Sequence, residues 1–354
     1  MKKKILKICE KPLITSECFT YYKMAIIQTI PNYESWLINR FKLFIDGDGD
    51  AIFGENGDIY SLASYSEILN IEEGAIFNVG SDRIISYVID RINEDKYVMV
   101  DLNFARFYSA QGGFNIHETL IYGYDSDTHE LIMRGLHNHT FKEWRVSFQD
   151  FEEAYEDVHK FFVSNKLELL NRKRYFSGIT LLSPRYDYRS VNDDYELVYR
   201  LDSEVLGYTY KKCDPDGQNE SVLYTGITCV KKLHDELSEI VNKDNYDWKR
   251  IGQCHNLCLK LSERENVLLH AVRAFVKKYN FNDDNDVVTQ FSQCYNMMFQ
   301  NVLLFYKYLE SSNTDIIKRI ADRIETVYYM EKRVFESITA LIRQNYHSVC
   351  SLKD

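Results

Sequence analysis

The stretch His117-Glu118-Thr119-Leu120-Ile121-Tyr122-Gly123-Tyr124 is the middle one of three consecutive strand patterns, and it decides the fold class. Residues 97–100 (Tyr-Val-Met-Val) precede it and residues 130–135 follow it. Turn-forming residues separate the three patterns, Gly112-Gly113 on one side and Asp125-Ser126-Asp127 on the other. Short β-rich runs divided by such turns predict antiparallel strands that pair in chain order. We therefore expect an antiparallel meander here.

Helical patterns flank this predicted sheet. Residues 17–29 have helical periodicity that ends at Ile30-Pro31, residues 82–93 have the pattern of a short helix, and residues 148–165 have that of an amphipathic helix. Helices placed around an antiparallel sheet indicate the α+β class. A further strand is predicted at residues 195–199 (Tyr-Glu-Leu-Val-Tyr).

The second half of the chain has a different pattern. From Asp247 onward, apolar residues recur at spacings of three and four and proline is absent. This pattern predicts helices that pack as an antiparallel bundle or as hairpins. Since 354 residues suggest two domains, we expect an α+β domain over residues 1–175. Residues 176–354 should form a second domain that is mixed at first and then mainly helical.

Composition excludes several classes of protein. Hydrophobic residues make up 45% of the chain and charged residues 27%, which argues against intrinsic disorder. The net charge of −10 argues against nucleic acid as a partner, because phosphate neutralisation needs a basic surface. The N-terminus lacks the apolar core of a signal peptide, and no apolar run approaches the roughly 18 residues of a membrane span. We expect a cytoplasmic protein without a membrane partner, whose eight cysteines are mostly reduced.

Cys18 and His117 are the candidate catalytic pair. Ser16 is a suitable N-cap, so Cys18 should lie in the first turn of the predicted helix. The helix dipole and unpaired N–H groups there lower the pKa of a thiol, and the same groups can hold an oxyanion. A nucleophilic cysteine also needs a base, and His117 opens a strand at the rim of the predicted sheet. By composition alone, however, a single cysteine on a helix is more often packed core.

The order of these residues resembles the papain-like cysteine enzyme superfamily, in which a cysteine on a central helix precedes a histidine on the sheet. Residues 97–101 (Tyr-Val-Met-Val-Asp), followed by His117 and residues 120–125, look like the N-terminal domain of butirosin-type acyltransferases. The resemblance covers roughly residues 5–165. It implies a papain-like domain with a central helix against an antiparallel sheet. The chain is also similar to a related papain-like enzyme that forms amides in closthioamide biosynthesis.

The resemblance implies an amide-forming acyltransferase of natural-product (antibiotic) biosynthesis. In such an enzyme, Cys18 would take an acyl or peptidyl chain from the thioester of an acyl carrier protein, and a small amine would then attack the acyl-enzyme. His117 would serve as the base. Two alternatives stay open: a cysteine peptidase or amidase that uses the same pair, and a non-catalytic papain-like binding protein.

The third member of a catalytic triad is not settled by the sequence. Asp101 is the leading candidate, because it ends the strand before the His117 strand and could face the ring across a hairpin. Asn138 and Glu118 are the alternatives, and Asp101 could equally be a strand-end carboxylate bonded to loop N–H groups. Papain-type enzymes carry a glutamine six residues before the nucleophile as an oxyanion donor, and Pro12 occupies that position here.

No further motif predicts a metal or a cofactor. Cys254 and Cys258 could share a helical face, but a zinc site needs four ligands and no second pair lies nearby. Phosphate-binding glycine loops are absent from the sequence as well. Arg172-Lys173-Arg174 stands out in an acidic chain. It is either a solvated domain junction or a docking patch for an acidic carrier protein. The oligomeric state is left open, with a homo-oligomer among the alternatives.

Overall fold

A computed structural model shows the fold of the protein. It describes residues 2–40, 42–46, 51–54, 65–74, 79–107, 113–137, 140–164, 178–189, 193–213, 220–279 and 287–350. The chain forms two compact units, neither of which is continuous in sequence: residues 1–33 and 62–188 form the first, and residues 34–61 and 189–354 form the second. The expected domain boundary after residue 175 falls within residues 165–177, outside the described part of the chain.

The first unit is built on an antiparallel sheet of seven described strands. The strands are β1 (Lys3–Ile5), β4 (Leu69–Gly74), β5 (Tyr97–Asn103), β6 (Ile116–Asp125), β7 (Glu130–His137), β8 (Thr140–Ser147) and β9 (Ile179–Pro184). Their spatial order is β4-β9-β5-β6-β7-β8, and β1 pairs with the C-terminal end of β6. The predicted meander is confirmed, since β5, β6 and β7 pair in chain order.

Three described helices lie within the first unit: α1 (Cys18–Ile27), α3 (Ser81–Asn93) and α4 (Phe148–Ser164). All three were predicted from periodicity, and the α+β class is confirmed. Helix α1 differs from the other two, because all its residues from Thr20 to Ile27 are buried. A helix that is enclosed on every side belongs to the core of its unit rather than to its surface.

The second unit combines a small antiparallel sheet with long helices. Its strands β2 (Lys42–Ile45), β3 (Ala51–Gly54), β10 (Thr209–Cys213) and β11 (Glu220–Thr225) pair in the order β10-β11-β2-β3. Helix α2 (Tyr33–Arg40) leads into β2. The C-terminal helices are α5 (Asp193–Leu206), α6 (Ile227–Asn242), α7 (Trp248–Tyr279), α8 (Val287–Ser311) and α9 (Thr314–Cys350). Helices from residue 247 onward agree with the sequence pattern.

The predicted strand at residues 195–199 is wrong, because these residues belong to helix α5. The helix is favoured by its buried face, on which Glu204 lies one turn after Arg200 and Leu201. Arg200 and Glu204 form an ion pair of 2.6 Å between helical positions i and i+4. The alternation of Tyr195 to Tyr199 was too short a pattern to separate a strand from a helix.

A buried ion cluster joins three helices of the second unit. Arg264 of α7 pairs with Glu204 of α5 at 2.7 Å, with its neighbour Glu265 at 2.6 Å, and with Glu331 of α9 at 2.6 Å. All four side chains are at most 4% exposed. Such an arrangement is stable only while every charge keeps its partner.

No helix in the described part of the chain is both long and apolar enough to cross a lipid bilayer.

Replacing Arg264 by methionine should destabilise the second unit by roughly 3–5 kcal/mol, because the buried carboxylates lose their shared cation. Arg343→Met is the matched control, since Arg343 pairs with Asp202 while 65% exposed and should contribute about 0–1 kcal/mol. Urea unfolding followed by circular dichroism measures both. Similar midpoints for the two variants would contradict the prediction.

Candidate active site

Helix α1 begins at Cys18, with Glu17 as its N-cap in an extended conformation. The predicted N-cap Ser16 is therefore wrong by one residue, and the thiol occupies the first helical position. The first intrahelical bond runs from the Tyr21 N–H to the Glu17 carbonyl at 2.8 Å. In an α-helix, the N–H groups of the first turn are not used by the i to i−4 ladder, and Cys18 lies in that turn.

The structure brings Cys18 and His117 together. The Sγ atom of Cys18 lies 3.6 Å from Nε2 of His117, although 99 positions separate the residues in the sequence. On the other side of the ring, Nδ1 lies 3.2 Å from the backbone carbonyl oxygen of Glu118. A carbonyl can only accept, so this contact assigns the proton to Nδ1 and leaves Nε2 as an acceptor facing the thiol. His117 is thus oriented to take the proton of Cys18.

Tyr22 fixes the same carbonyl from the helix side. Its hydroxyl donates to the Glu118 carbonyl oxygen at 2.8 Å, and its side chain is fully buried. Because Tyr22 follows Cys18 by four residues, both lie on one face of α1. Helix α1 therefore reaches residues 117–118 of β6 at two points. Tyr22 was not predicted as a site residue, although its spacing of four from Cys18 places both on one helical face.

Asp101 is not placed against the His117 ring. In the β5–β6 register, Asp101 lies opposite Glu118 while His117 lies opposite Leu102. Residues directly opposite each other lie on the same face of the sheet, and successive residues of a strand alternate between its two faces. The Asp101 side chain is therefore on the same face as that of Glu118, and the His117 side chain is on the other face. Its Oδ2 atom is buried and has no hydrogen-bond partner among the described residues. Of the two alternatives, Glu118 follows His117 directly in β6, so its side chain lies on the opposite face, and Asn138 lies outside the described residues.

Buried charges surround the Glu118 side chain. Burial raises the pKa of Asp101 well above its ordinary value, and the nearby charge of Glu118 adds to this shift. Burial also raises the pKa of Glu118, although the positive charge of Lys23 lowers it. Lys23 is itself fully buried, and its ammonium group donates to the Phe19 carbonyl at 3.1 Å. Asp101 therefore holds a proton more readily than Glu118, because the positive charge of Lys23 favours the ionised form of Glu118.

The Cys18 thiol is not the low-pKa group that the helix N-terminus predicts. Burial, with the nearby charges of Glu118 and Glu17, raises the pKa of Cys18 to about 12, and a hydrogen bond from its own backbone N–H only partly opposes them. Loss of hydration and two nearby negative charges outweigh the helix terminus. Cys18 is therefore a neutral thiol, and it would need a base to act as a nucleophile.

An aromatic cluster covers the ring of His117. The Phe104 ring lies edge-on to the imidazole with 5.6 Å between centroids, and it also contacts Phe107 and Trp144. Phe104 is 1% exposed. Gly135 leaves room for this ring, because a Cβ atom there would lie 3.0 Å from it. These contacts restrict rotation of the imidazole, so the Nε2 atom keeps facing Cys18.

The described residues contain no cluster of three or more histidine, cysteine or acidic side chains that could hold a metal ion.

The chain matches no protein-family model. A search of curated proteins finds no match either.

Glu118→Gln should speed the alkylation of Cys18 by iodoacetamide at pH 8. The substitution removes a carboxylate that raises the pKa of the thiol, while the backbone carbonyl that holds His117 and Tyr22 is unchanged. Each unit by which the pKa falls gives about tenfold more thiolate. Peptide mapping by mass spectrometry separates Cys18 from the other cysteines.

The matched control for this measurement is Glu17→Gln, because Glu17 contributes less to the pKa of Cys18 than Glu118 does. Glu17→Gln should also speed the alkylation of Cys18, but by a smaller factor than Glu118→Gln does. Slower alkylation in Glu118→Gln, or a larger effect in the control, would show that Glu118 does not set the protonation of the thiol.

Proposed function

We propose that the protein is a papain-like, cysteine-dependent acyltransferase that forms an amide from a carrier-bound thioester and a small amine. The supporting observation is the 3.6 Å contact between the Cys18 thiol and the Nε2 atom of His117, with the opposite ring nitrogen bonded to a carbonyl. This arrangement suits nucleophilic catalysis with a base beside the nucleophile. The position of the cysteine on a helix and of the histidine on a strand of the sheet also supports this proposal.

The first step transfers the proton of Cys18 to Nε2 of His117 as the sulfur attacks the thioester carbonyl. The carbon–sulfur bond of the donor then breaks, and its sulfur leaves with the proton from His117. Backbone N–H groups at the start of α1 are suited to hold the oxyanion of the tetrahedral intermediate. One thioester is exchanged for another, so the step is nearly neutral in energy.

The second step uses the same pair in reverse. The amine attacks the Cys18 acyl-enzyme, His117 takes its proton, and the sulfur of Cys18 leaves and is reprotonated. Because burial and two carboxylates disfavour the thiolate of Cys18, this sulfur is a poor leaving group without a proton donor. The acyl-enzyme is therefore expected to persist until the amine has entered and His117 carries a proton.

The proposed partners are an acyl carrier protein and a small amine. The basic cluster Arg172-Lys173-Arg174, proposed as the carrier's docking patch, lies outside the described residues. A cysteine peptidase or amidase would use the same pair of residues, and a binding protein would retain the fold without turnover. Incubation with acyl thioesters, amines and peptides separates these three functions.

Incubation with a panel of acyl thioesters should add one acyl mass to the protein, and intact-protein mass spectrometry detects it. Cys18→Ala should abolish this adduct. His117→Ala should slow its formation by roughly 10²–10⁴-fold, the usual contribution of a positioned base. Addition of a small amine should release the acyl group as an amide.

Each alternative gives a different result in that experiment. Cleavage of an unmodified peptide or simple amide without transfer to amines would support the peptidase or amidase. No adduct with any thioester, together with no cleavage, would favour the non-catalytic protein. Cys294→Ala is the matched control, because Cys294 is fully buried in the second unit and should not affect the adduct.

Comparison of Asp101→Asn with Tyr22→Phe should show which group orients His117. Tyr22→Phe removes the hydroxyl bonded to the Glu118 carbonyl, and we expect a loss of about 3- to 10-fold in acylation rate, the equivalent of one ordinary hydrogen bond. Asp101→Asn should change the rate less. The measurement is the acylation rate as a function of pH. A loss near 10⁴-fold in Asp101→Asn would instead assign the triad role to that carboxylate.

A further inference from the structure

Helices α7 and α8 of the second unit pack against each other as an antiparallel hairpin. The His255 ring of α7 contacts the Tyr306 ring of α8 with 4.7 Å between centroids. Further along α7, the Cys258 thiol lies 3.8 Å from the carbonyl oxygen of Met298. Residue numbers therefore rise along one helix while they fall along the other. Trp248, the first residue of α7, lies at the end of the hairpin where α8 finishes.

This hairpin exposes large apolar side chains. Trp248 of α7 is 81% exposed, and four side chains of α8 are between 43% and 54% exposed: Phe299, Leu303, Tyr306 and Leu309. Single exposed apolar residues are ordinary on a protein surface, whereas a contiguous group of them indicates a site of interaction.

The exposed side chains of the two helices form one surface. On each helix they recur at spacings of three and four, which places them along one helical side. The contact between His255 and Tyr306 brings these two sides together. We call this surface the hairpin face, and its residues are Trp248, Gly252, His255 and Leu259 of α7 with Phe299, Leu303, Tyr306 and Leu309 of α8.

The hairpin face is free of charged residues over most of its length. Residues 251–259 and 287–306 contain no aspartate, glutamate, lysine or arginine, although 27% of the chain is charged. Burial lowers the pKa of His255, so its ring is uncharged at neutral pH. Charged residues return at one end, where Lys249 precedes the face on α7 and Lys307 and Glu310 flank Leu309 on α8. Depletion of charge and enrichment in aromatic residues are typical of the centre of a protein–protein interface.

Gly252 forms a recess in the hairpin face. Glycine destabilises the interior of a helix relative to alanine. A Cβ atom at this position would meet no atom of the described residues within 4 Å, so packing inside the described part of the chain does not require a glycine. A glycine on an exposed helical face allows the backbone of another element to approach closely.

The charge of the protein indicates what covers this surface. An acidic carrier protein would need cations to pair with, and residues 251–259 and 287–306 offer none. Two copies of this chain, each with a net charge of −10, repel each other unless they meet through uncharged surface. In a two-fold pair each hairpin face covers the other, because such an interface uses the same patch on both subunits. A second copy therefore matches the hairpin face in both polarity and charge.

The exposed area of the hairpin face also suits a dimer. An aromatic side chain offers about 150–250 Å², so the exposed fractions of Trp248, Phe299 and Tyr306 together provide roughly 260–430 Å². Leu303 and Leu309 add apolar area, and exposed polar residues border it on both helices: Asn256, Asn296 and Gln300. A standard interface buries about 800 Å² on each partner, with an apolar centre and a polar rim.

We propose that the hairpin face is a dimer interface, across which the α7–α8 hairpins of two copies of this chain pack about a two-fold axis. The exposed aromatic and leucine side chains form its centre, and Gly252 admits the partner's hairpin. The interface belongs to the second unit and is independent of the proposed acyl transfer at Cys18.

Sedimentation-velocity centrifugation of the full chain across the micromolar range tests the proposal. We expect a concentration-dependent shift to twice the monomer mass that persists at high salt, because an apolar interface is not screened. A chain that stays monomeric at every concentration would overturn the proposal, as would a dimer that high salt dissociates. Flotation with phosphatidylcholine vesicles in place of self-association would assign the face to a lipid surface and would equally overturn it.

Leu303→Glu makes the test specific to this face. It places two like charges in one symmetric interface, so the dissociation constant of the dimer should rise at least about 30-fold, as for loss of a central anchor. Leu206→Glu is the matched control, because it makes the same change at a 64% exposed leucine at the end of α5, outside the hairpin face. Its dissociation constant should equal that of the wild type. An equal effect in both variants, or none in Leu303→Glu, would overturn the proposal.

Gly252→Leu separates dimerisation from folding. The new side chain fills the recess and meets open space in the described part of its own chain, so the urea midpoint of the monomer should be unchanged or higher. In the dimer the same side chain opposes the partner, and the dissociation constant should rise about tenfold or more. Dimerisation as strong as in the wild type would overturn the proposed close approach at Gly252.

Discussion

One backbone oxygen, the carbonyl of Glu118, fixes the geometry of the candidate active site. It accepts a hydrogen bond from the Tyr22 hydroxyl, and its contact with Nδ1 of His117 assigns the proton of the ring. Cys18 and Tyr22 lie one turn apart on a helix that is enclosed on every side after its first residues. The thiol, the ring and the carbonyl therefore cannot shift independently of one another. Such preorganisation is what a catalytic pair needs from its support.

Burial is the largest cause of the altered pKa values in the two buried acidic clusters, at Asp101 and Glu118 and at Glu265 and Glu331. In the first unit it leaves Cys18 as a neutral thiol and favours a proton on Asp101. In the second unit it raises the pKa of Glu265 and of Glu331, while the charge of Arg264 beside them lowers both. In both places, the low polarity of the interior favours the protonated form of a carboxyl, and a buried cation opposes it.

The sequence predicted the meander and the flanking helices, because each depends on local periodicity. The pairing of Cys18 with His117, 99 positions apart, was expected from the resemblance to papain-like enzymes. It did not predict the pKa of Cys18, since the helix terminus is a local feature whereas burial and Glu118 are tertiary ones. It named Asp101 from its position at a strand end. The register, which places Glu118 rather than His117 opposite it, depends on the pairing of two strands. Nothing in residues 34–61 indicated that they pack with residues 189–354.

The second unit is formed by residues 34–61 and 189–354, so it can be completed only late in the synthesis of the chain. Strand β2 pairs with β11, where Ile45 lies opposite Tyr224. A ribosome that adds about 5–20 residues per second needs on the order of 10–40 s to make the chain between them. During that time one edge of β2 has no partner, and an open strand edge can pair with other chains. The nascent protein therefore passes through a period in which association with neighbouring polypeptides competes with completion of its second unit.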